Sequence, residues 1–263
     1  MVTRRWVLGA AAAAAAGLRM NCDAKAQENE TSKPDASKID TSMTDASRTV
    51  LMTSDDGPGA ATSVIIDIAE RHQVPFTLFM IGTNVAADPS HRKVLERARA
   101  SEWISIGNHS FSHCSRHYAR CYHDGPSLVS DFERASSELG LTSPVPARGP
   151  GRDVWRLPGM QLDDHAISRK ETQIEEPTYD ALFADGFYLY GWDVEWQHRR
   201  GNPRQSARAM VDLLTGSHSR KPGKVVMLMH DVMMRSPKGP GELVRIIEGV
   251  RERGGTFGRL SEY

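Results

Sequence analysis

The feature that most constrains this sequence is an alternation that begins at Thr49 and runs to the C-terminus. Short β-prone runs are followed by polar turns and then by stretches whose apolar residues have helical spacing. TVLMTS (49–54) precedes SVIIDIAERH (63–72), PFTLFMIG (75–82) precedes PSHRKVLERARA (89–100), and WISIG (103–107) precedes a histidine-rich loop and PSLVSDFERASSEL (126–139). VWRLPG (154–159) follows, then TYDALFAD (178–185) and FYLYGWDVEW (187–196), RQSARAMVDLLTG (204–216) and KVVMLMHD (224–231), GELVRIIEGVRERG (241–254) and TFGRL (256–260). Seven strand candidates alternating with helices predict an α/β fold with parallel strands, either a barrel or a doubly wound sheet. The polar residues choose between these. Asp55 and Asp56 end the first run, Asn108 and His109 the third, Asp193 and Glu195 the fifth, and His230 with Asp231 the sixth, while Arg156 lies in the fourth. A barrel brings the C-terminal ends of many strands to one rim, whereas an open sheet concentrates its chemistry at a single switch point. The expectation is a distorted seven-stranded (β/α) barrel.

The alternation does not extend to the first 48 residues. Residues 1–26, MVTRRWVLGAAAAAAAGLRMNCDAKA, combine a basic start, an apolar stretch and Ala24-Lys25-Ala26, the layout of a secretory signal peptide with its cleavage site. The Arg4-Arg5 pair gives it a twin-arginine-like character. Lipidation at Cys22 is the lesser alternative, because Arg19 and Asn21 are poor neighbours for such a signal. Residues 27–48 are almost wholly polar and read as a flexible linker. The expected location is therefore the periplasm or the medium, with the folded domain at residues 49–263. No apolar run reaches the ~18 residues that span a bilayer, so no transmembrane helix is expected in the mature chain.

Charge and cysteine content exclude other classes. The chain has 33 basic and 33 acidic residues, and loss of residues 1–26 would leave it slightly acidic, so nucleic acid is not an expected partner. Three cysteines with no C-x-x-C pair argue against a zinc ribbon, and any metal must be held mainly by histidines and carboxylates. Cys114 and Cys121 remain in the mature chain, either as free thiols or as a disulfide that pins the loop beside His113.

Five segments carry chemistry. Asp55-Asp56-Gly57-Pro58 follows a strand, and two adjacent acids can share a site only where the pleat breaks, which Gly57-Pro58 supplies; a plain turn is the simpler reading. His109 and His113 are spaced i, i+4, which predicts both imidazoles on one side of a helical turn. Two histidines and one carboxylate leave open positions for water and substrate and suit zinc or another divalent metal. His117 and His123 are rival ligands in a looser loop. Arg156 in Arg156-Leu157-Pro158-Gly159 can orient a carboxylate at the rim or form an ordinary ion pair. Asp193 and Glu195 fall on one face of a strand and Trp192 and Trp196 on the other. The apolar run before His230 reads as a buried strand that delivers a general acid to its end.

These segments, in this order, resemble the polysaccharide deacetylases with a NodB homology domain, also called carbohydrate esterase family four, over nearly all of residues 49–263. Thr53-Ser54-Asp55-Asp56-Gly57 is similar to T-F-D-D-G with Ser54 in place of Phe, and His109-Ser110-Phe111-Ser112-His113 fits H-[ST]-x-x-H. The resemblance implies Asp55 as general base and Asp56, His109 and His113 as ligands of a divalent metal, zinc first, with cobalt, nickel or manganese as alternatives. Arg156-Leu157-Pro158-Gly159 resembles R-x-P-[YF], which implies that Arg156 holds the base and that the Gly159 N–H faces the oxyanion in the substrate groove. Leu228-Met229-His230 resembles L-x-H, implying Leu228 in the groove and His230 as general acid. Asp193-Val194-Glu195-Trp196 is one residue short of D-x-x-D-W, so either acid can support His230, with Trp196 beside the groove. The implied reaction is hydrolysis of N-acetyl groups, or alternatively O-acetyl groups, on an N-acetylated polysaccharide of the cell envelope or medium. An amidase of the same fold acting on a small non-sugar amide, and an inactive carbohydrate-binding module, are the other readings.

Overall fold

A computed structural model describes residues 48–165, 168–216 and 219–263. The expected signal peptide and all of the expected linker except Arg48 lie outside the described residues.

Seven parallel strands form one curled sheet: β1 (Thr49–Gly57), β2 (Phe76–Met80), β3 (Ile104–Asn108), β4 (Val145–Ala147), β5 (Phe187–Leu189), β6 (Val194–Glu195) and β7 (Lys224–His230). Their order is β5-β4-β3-β2-β1-β7-β6, and every neighbouring pair is parallel. β5 and β6 stand at the two ends and do not pair with each other among the described residues, so the sheet is a half-barrel, the distorted barrel expected. The short strand Thr256–Phe257 adds to the start of β1. Eight helices connect the strands: α1 (Ala60–His72), α2 (Gly82–Ala87), α3 (Pro89–Ala100), α4 (Tyr118–Tyr122), α5 (Gly125–Leu139), α6 (Arg169–Ala184), α7 (Ala207–Gly216) and α8 (Gly239–Glu252), counted among the described residues.

Two-residue periodicity sorts the strand side chains into layers. Val50 and Met52 of β1, Phe76 and Leu78 of β2, and Val225, Met227 and Met229 of β7 pack against Ile65, Ile66, Met210, Leu243 and Ile246 of the helices. The intervening residues face the concave side. Leu51 and Val226 pack there with Phe79, Trp155 and Leu260. The same parity carries Thr53 and Asp55 along β1, and Leu228 and His230 along β7, toward the C-terminal rim. β1 and β7 are in register with Asp55 beside His230.

Two strand assignments differ from the sequence reading. VWRLPG is not a parallel strand of the main sheet: Val154–Trp155 pairs antiparallel with Asp163–Asp164 in a two-stranded ribbon, and Arg156 makes only an antiparallel bridge to Leu189 at the edge of β5. The fourth sheet strand is Val145–Ala147, three residues flanked and interrupted by prolines, too short to show a period. FYLYGWDVEW is two strands rather than one. The chain breaks at Gly191, where an added Cβ would lie 2.1 Å from Asp153 Oδ1 and 2.3 Å from Trp155 Nε1.

Candidate active site

The acid pair at the end of β1 is shaped by a bulge. Asp55 pairs with Phe79 and Gly57 with Met80, leaving Asp56 as the extra residue. Asp56 has φ 77°, and its carbonyl accepts Asn84 Nδ2–H at 2.8 Å. The bulge is therefore at Asp56 itself, one residue before the expected break, and it turns both carboxylates into one site. Asp55 Oδ2 lies 3.7 Å and Asp56 Oδ1 3.6 Å from His109 Nε2.

Asp55 is buried, and its Oδ1 accepts Arg148 Nη1–H at 2.9 Å. Arg148 has no solvent exposure. Its other N–H groups donate to Thr53 Oγ1 at 2.8 Å and to the carbonyls of Tyr190 at 2.9 Å and Gly191 at 2.8 Å. Its guanidinium also lies 4.3 Å from the Phe79 ring centroid. Burial lowers the Arg148 pKa, and the Asp55 charge opposes that shift.

His109 follows β3. Its Nδ1 is 2.9 Å from the Arg148 carbonyl, which can only accept, so Nδ1 carries the proton and Nε2 presents a lone pair toward Asp56. His113 Nε2 lies 3.4 Å from Asp56 Oδ1. Burial and, next, the neighbouring His109 hold its pKa down at about 4. The expected helical turn is absent: Ser110 and His113 to Arg116 all have positive φ, and the segment is an irregular loop. Asn108 Oδ1 accepts the Ser110 N–H, Ser110 Oγ the His113 N–H, and Asp131 Oδ2 the N–H groups of Phe111 and Ser112. The Cys114–Cys121 disulfide cross-links the loop.

Asp56, His109 and His113 each offer a ligand atom within 4.8 Å of the others. Asp56 Oδ1 is a buried carboxylate oxygen without a hydrogen-bond partner. An orphaned anion beside two imidazole nitrogens fits a divalent cation. His117 is not in this group, and His123 lies 3.9 Å from Glu175 instead.

A cavity of about 300 Å³ opens on these groups, lined by Asp55, Asp56, His109, His113, Tyr118, Gly149, Gly151, Trp192, Glu195, His198, Leu228 and His230. His230 Nδ1 is buried without a partner. Neither Asp193 nor Glu195 makes an ion pair with His230 among the described residues.

Four expected placements are corrected. Arg156 does not reach Asp55: its Nε donates to Asp180 Oδ1 at 2.7 Å, near the surface. Gly159 lies beside Arg156 and Asp180 in a separate cleft. Asp193 accepts from the backbone N–H groups of Val226 at 2.8 Å and Arg220 at 3.0 Å, so it pins β6 to β7 rather than facing His230. Trp196 is fully buried in the helix-side core, where its Nε1–H donates to the Gln205 carbonyl, because alternation along β6 puts it opposite Glu195.

The sequence reading missed Arg148, Tyr118 and His198, and of the two tryptophans it placed on one strand face Trp192, not Trp196, lines the cavity. Arg148-Gly149-Pro150-Gly151 fits R-x-P as well as Arg156-Leu157-Pro158-Gly159 does. What distinguishes it is the strand immediately before Arg148, the shortest of the internal ones. At Gly151, with φ 65°, a Cβ would lie 3.1 Å from the Tyr118 ring, and that ring stands edge-on to His113.

A curled parallel sheet with an Asp-His-His cluster and an arginine-paired carboxylate at its C-terminal rim defines a half-barrel hydrolase. Residues 42–171 match the family model "Polysaccharide deacetylase". The chain is 38% identical over 187 residues to a chitooligosaccharide deacetylase of Bradyrhizobium, covering 70% of this chain and 71% of that protein. It is 25% identical over 209 residues to the peptidoglycan-N-acetylglucosamine deacetylase of Bacillus cereus, covering 78% and 67%. The fold is similar to that of a CE4 esterase of Streptococcus mutans, with TM-score 0.60 and 22% identity over 81% of this chain and 86% of that one. This chain belongs to the polysaccharide deacetylase family, and it is a hydrolase.

Proposed function

We propose that this protein removes N-acetyl groups from a polymer of acetamido sugars in the cell envelope or medium, after export directed by residues 1–26. The observation that carries the reading is the pairing of buried Asp55 with Arg148 beside Asp56, His109 and His113, with His230 next to Asp55 across the β1–β7 register. Arg148 donates to Asp55 Oδ1 and leaves Oδ2 on the side of His109, which suits a general base that takes a proton from water. His230 supplies a proton to the leaving amine, which otherwise departs as a poor leaving group. Gly149 and Gly151 line the same cavity, and a backbone N–H from this segment would suit the tetrahedral oxyanion. Asp56, His109 and His113 would hold the metal, and two imidazoles with one carboxylate favour zinc. Bound there, a divalent ion supplies Lewis-acid polarisation of the acetyl oxygen and lowers the pKa of water. Acetate release from N-acetylglucosamine oligomers is the test. Asp55→Asn should lower kcat by about 10²–10⁴-fold with metal content retained, whereas His113→Ala should lose metal and turnover together. Retained turnover in Asp55→Asn would remove the assignment of the base, and turnover unaffected by a chelator would remove the metal.

A further inference from the structure

We infer that His198 touches the sugar on the leaving-group side of the cavity, donating a hydrogen bond from Nε2–H and forming with His230 a two-imidazole clamp; this rests on the proposed function for the identity of that side. His198 is carried by an antiparallel hairpin, His198–Arg199 with Asn202–Pro203. Both loop residues, Arg200 at φ 51° and Gly201 at φ 80°, are left-handed, the geometry of a tight two-residue hairpin turn. A Cβ at Gly201 would lie 3.0 Å from the Val232 carbonyl, so the turn sits on the backbone just beyond His230. The turn therefore fixes the hairpin relative to His230.

The same turn sets the His198 tautomer. Gly201 N–H donates to His198 Nδ1 at 3.1 Å, and a backbone amide has nothing to accept with, so Nδ1 presents its lone pair and the neutral ring carries its proton on Nε2. The rings of His198 and His230 meet at 5.0 Å and 61°, and both line the cavity that holds Asp55, Asp56, His109 and His113. Neither ring has a carboxylate within ion-pair distance among the described residues. Burial, and then the neighbouring His230, lower the His198 pKa, which suits His198 as a neutral donor. A group set edge-on against the leaving-group acid and lining the same cavity lies on the sugar side rather than at the acetyl methyl. Its target is a hydroxyl or ring oxygen of the sugar unit that carries the acetamido group.

The test compares wild type, His198→Ala and His198→Gln by steady-state turnover of N-acetylglucosamine oligomers and by calorimetric binding of the glucosamine oligomer. Gln retains an N–H donor and cannot titrate. The expected result is a tenfold or greater rise in KM for His198→Ala with kcat changed less than threefold, a matching loss of product affinity, and recovery of at least half of the affinity by His198→Gln. Unchanged KM and product affinity in His198→Ala would overturn the inference. So would equal losses in the Ala and Gln variants, since a shape role or a titrating role predicts them. If wild type releases no acetate, the proposed function fails, and product binding still decides the role of His198.

Discussion

A guanidinium without solvent exposure is stable only when its N–H groups are matched and its charge is balanced. Arg148 meets both conditions through Thr53, Tyr190, Gly191 and Asp55, whereas Arg156 is a partly exposed side chain paired with the exposed Asp180. The two arginines should therefore respond differently to truncation. Arg148→Met leaves Asp55 buried without a counter-charge, and denaturant unfolding should show a loss of about 3–5 kcal/mol together with loss of turnover. Arg156→Ala should cost less than ~1 kcal/mol and leave turnover unchanged. His113 gives a pH signature. Its imidazole titrates at about 4 in the metal-free fold against 6.5 ordinarily. Between these values the unfolded chain binds a proton that the native state does not, so the metal-free fold loses stability as pH falls through this window. Unfolding curves at pH 7, 5.5 and 4 should show that slope, and His113→Asn should flatten it.

The loop from Ser110 to Arg116 is the element under most strain. Non-glycine residues in the left-handed region cost on the order of 1 kcal/mol each, and Ser110, His113, Cys114, Ser115 and Arg116 all occupy it. Such a run persists because its surroundings fix it: Asp131 holds two backbone N–H groups, Ser110 Oγ a third, and the Cys114–Cys121 bond ties the loop to α4. Replacing both cysteines by serine should weaken metal binding by about tenfold in a calorimetric titration, with the far-UV spectrum of the helices and sheet unchanged. Unaltered affinity would show that the hydrogen bonds alone hold His113. Sequence spacing misled at this element because i, i+4 is helical spacing only when the backbone between is helical. It misled at β4 for a related reason, since three residues around Pro146 carry no readable period.

At the scale of the whole molecule, the β1, β3 and β7 ends bring together the proposed metal ligands, base and acid from segments far apart in the chain, so an ion there would cross-link the open half-barrel. Metal bound at a hundredfold excess over its Kd adds about 2.7 kcal/mol, which for a domain of this size raises Tm by roughly 5–10 °C. Calorimetry before and after chelation should show that drop, with recovery on adding zinc; an unchanged Tm would mean that the cluster binds no ion tightly. The alternation of strands and helices, and the strand that delivers His230 to its end, were legible in the sequence because each is a local pattern. The Asp-Asp and His-x-x-x-His segments were legible because the donor types are contiguous. Which of two R-x-P-G segments holds Asp55, which acid pins β6 rather than facing His230, and that a hairpin sets His198 edge-on to that ring were decided only in three dimensions. Each depends on which backbone ends lie side by side, a long-range property that no local spacing encodes.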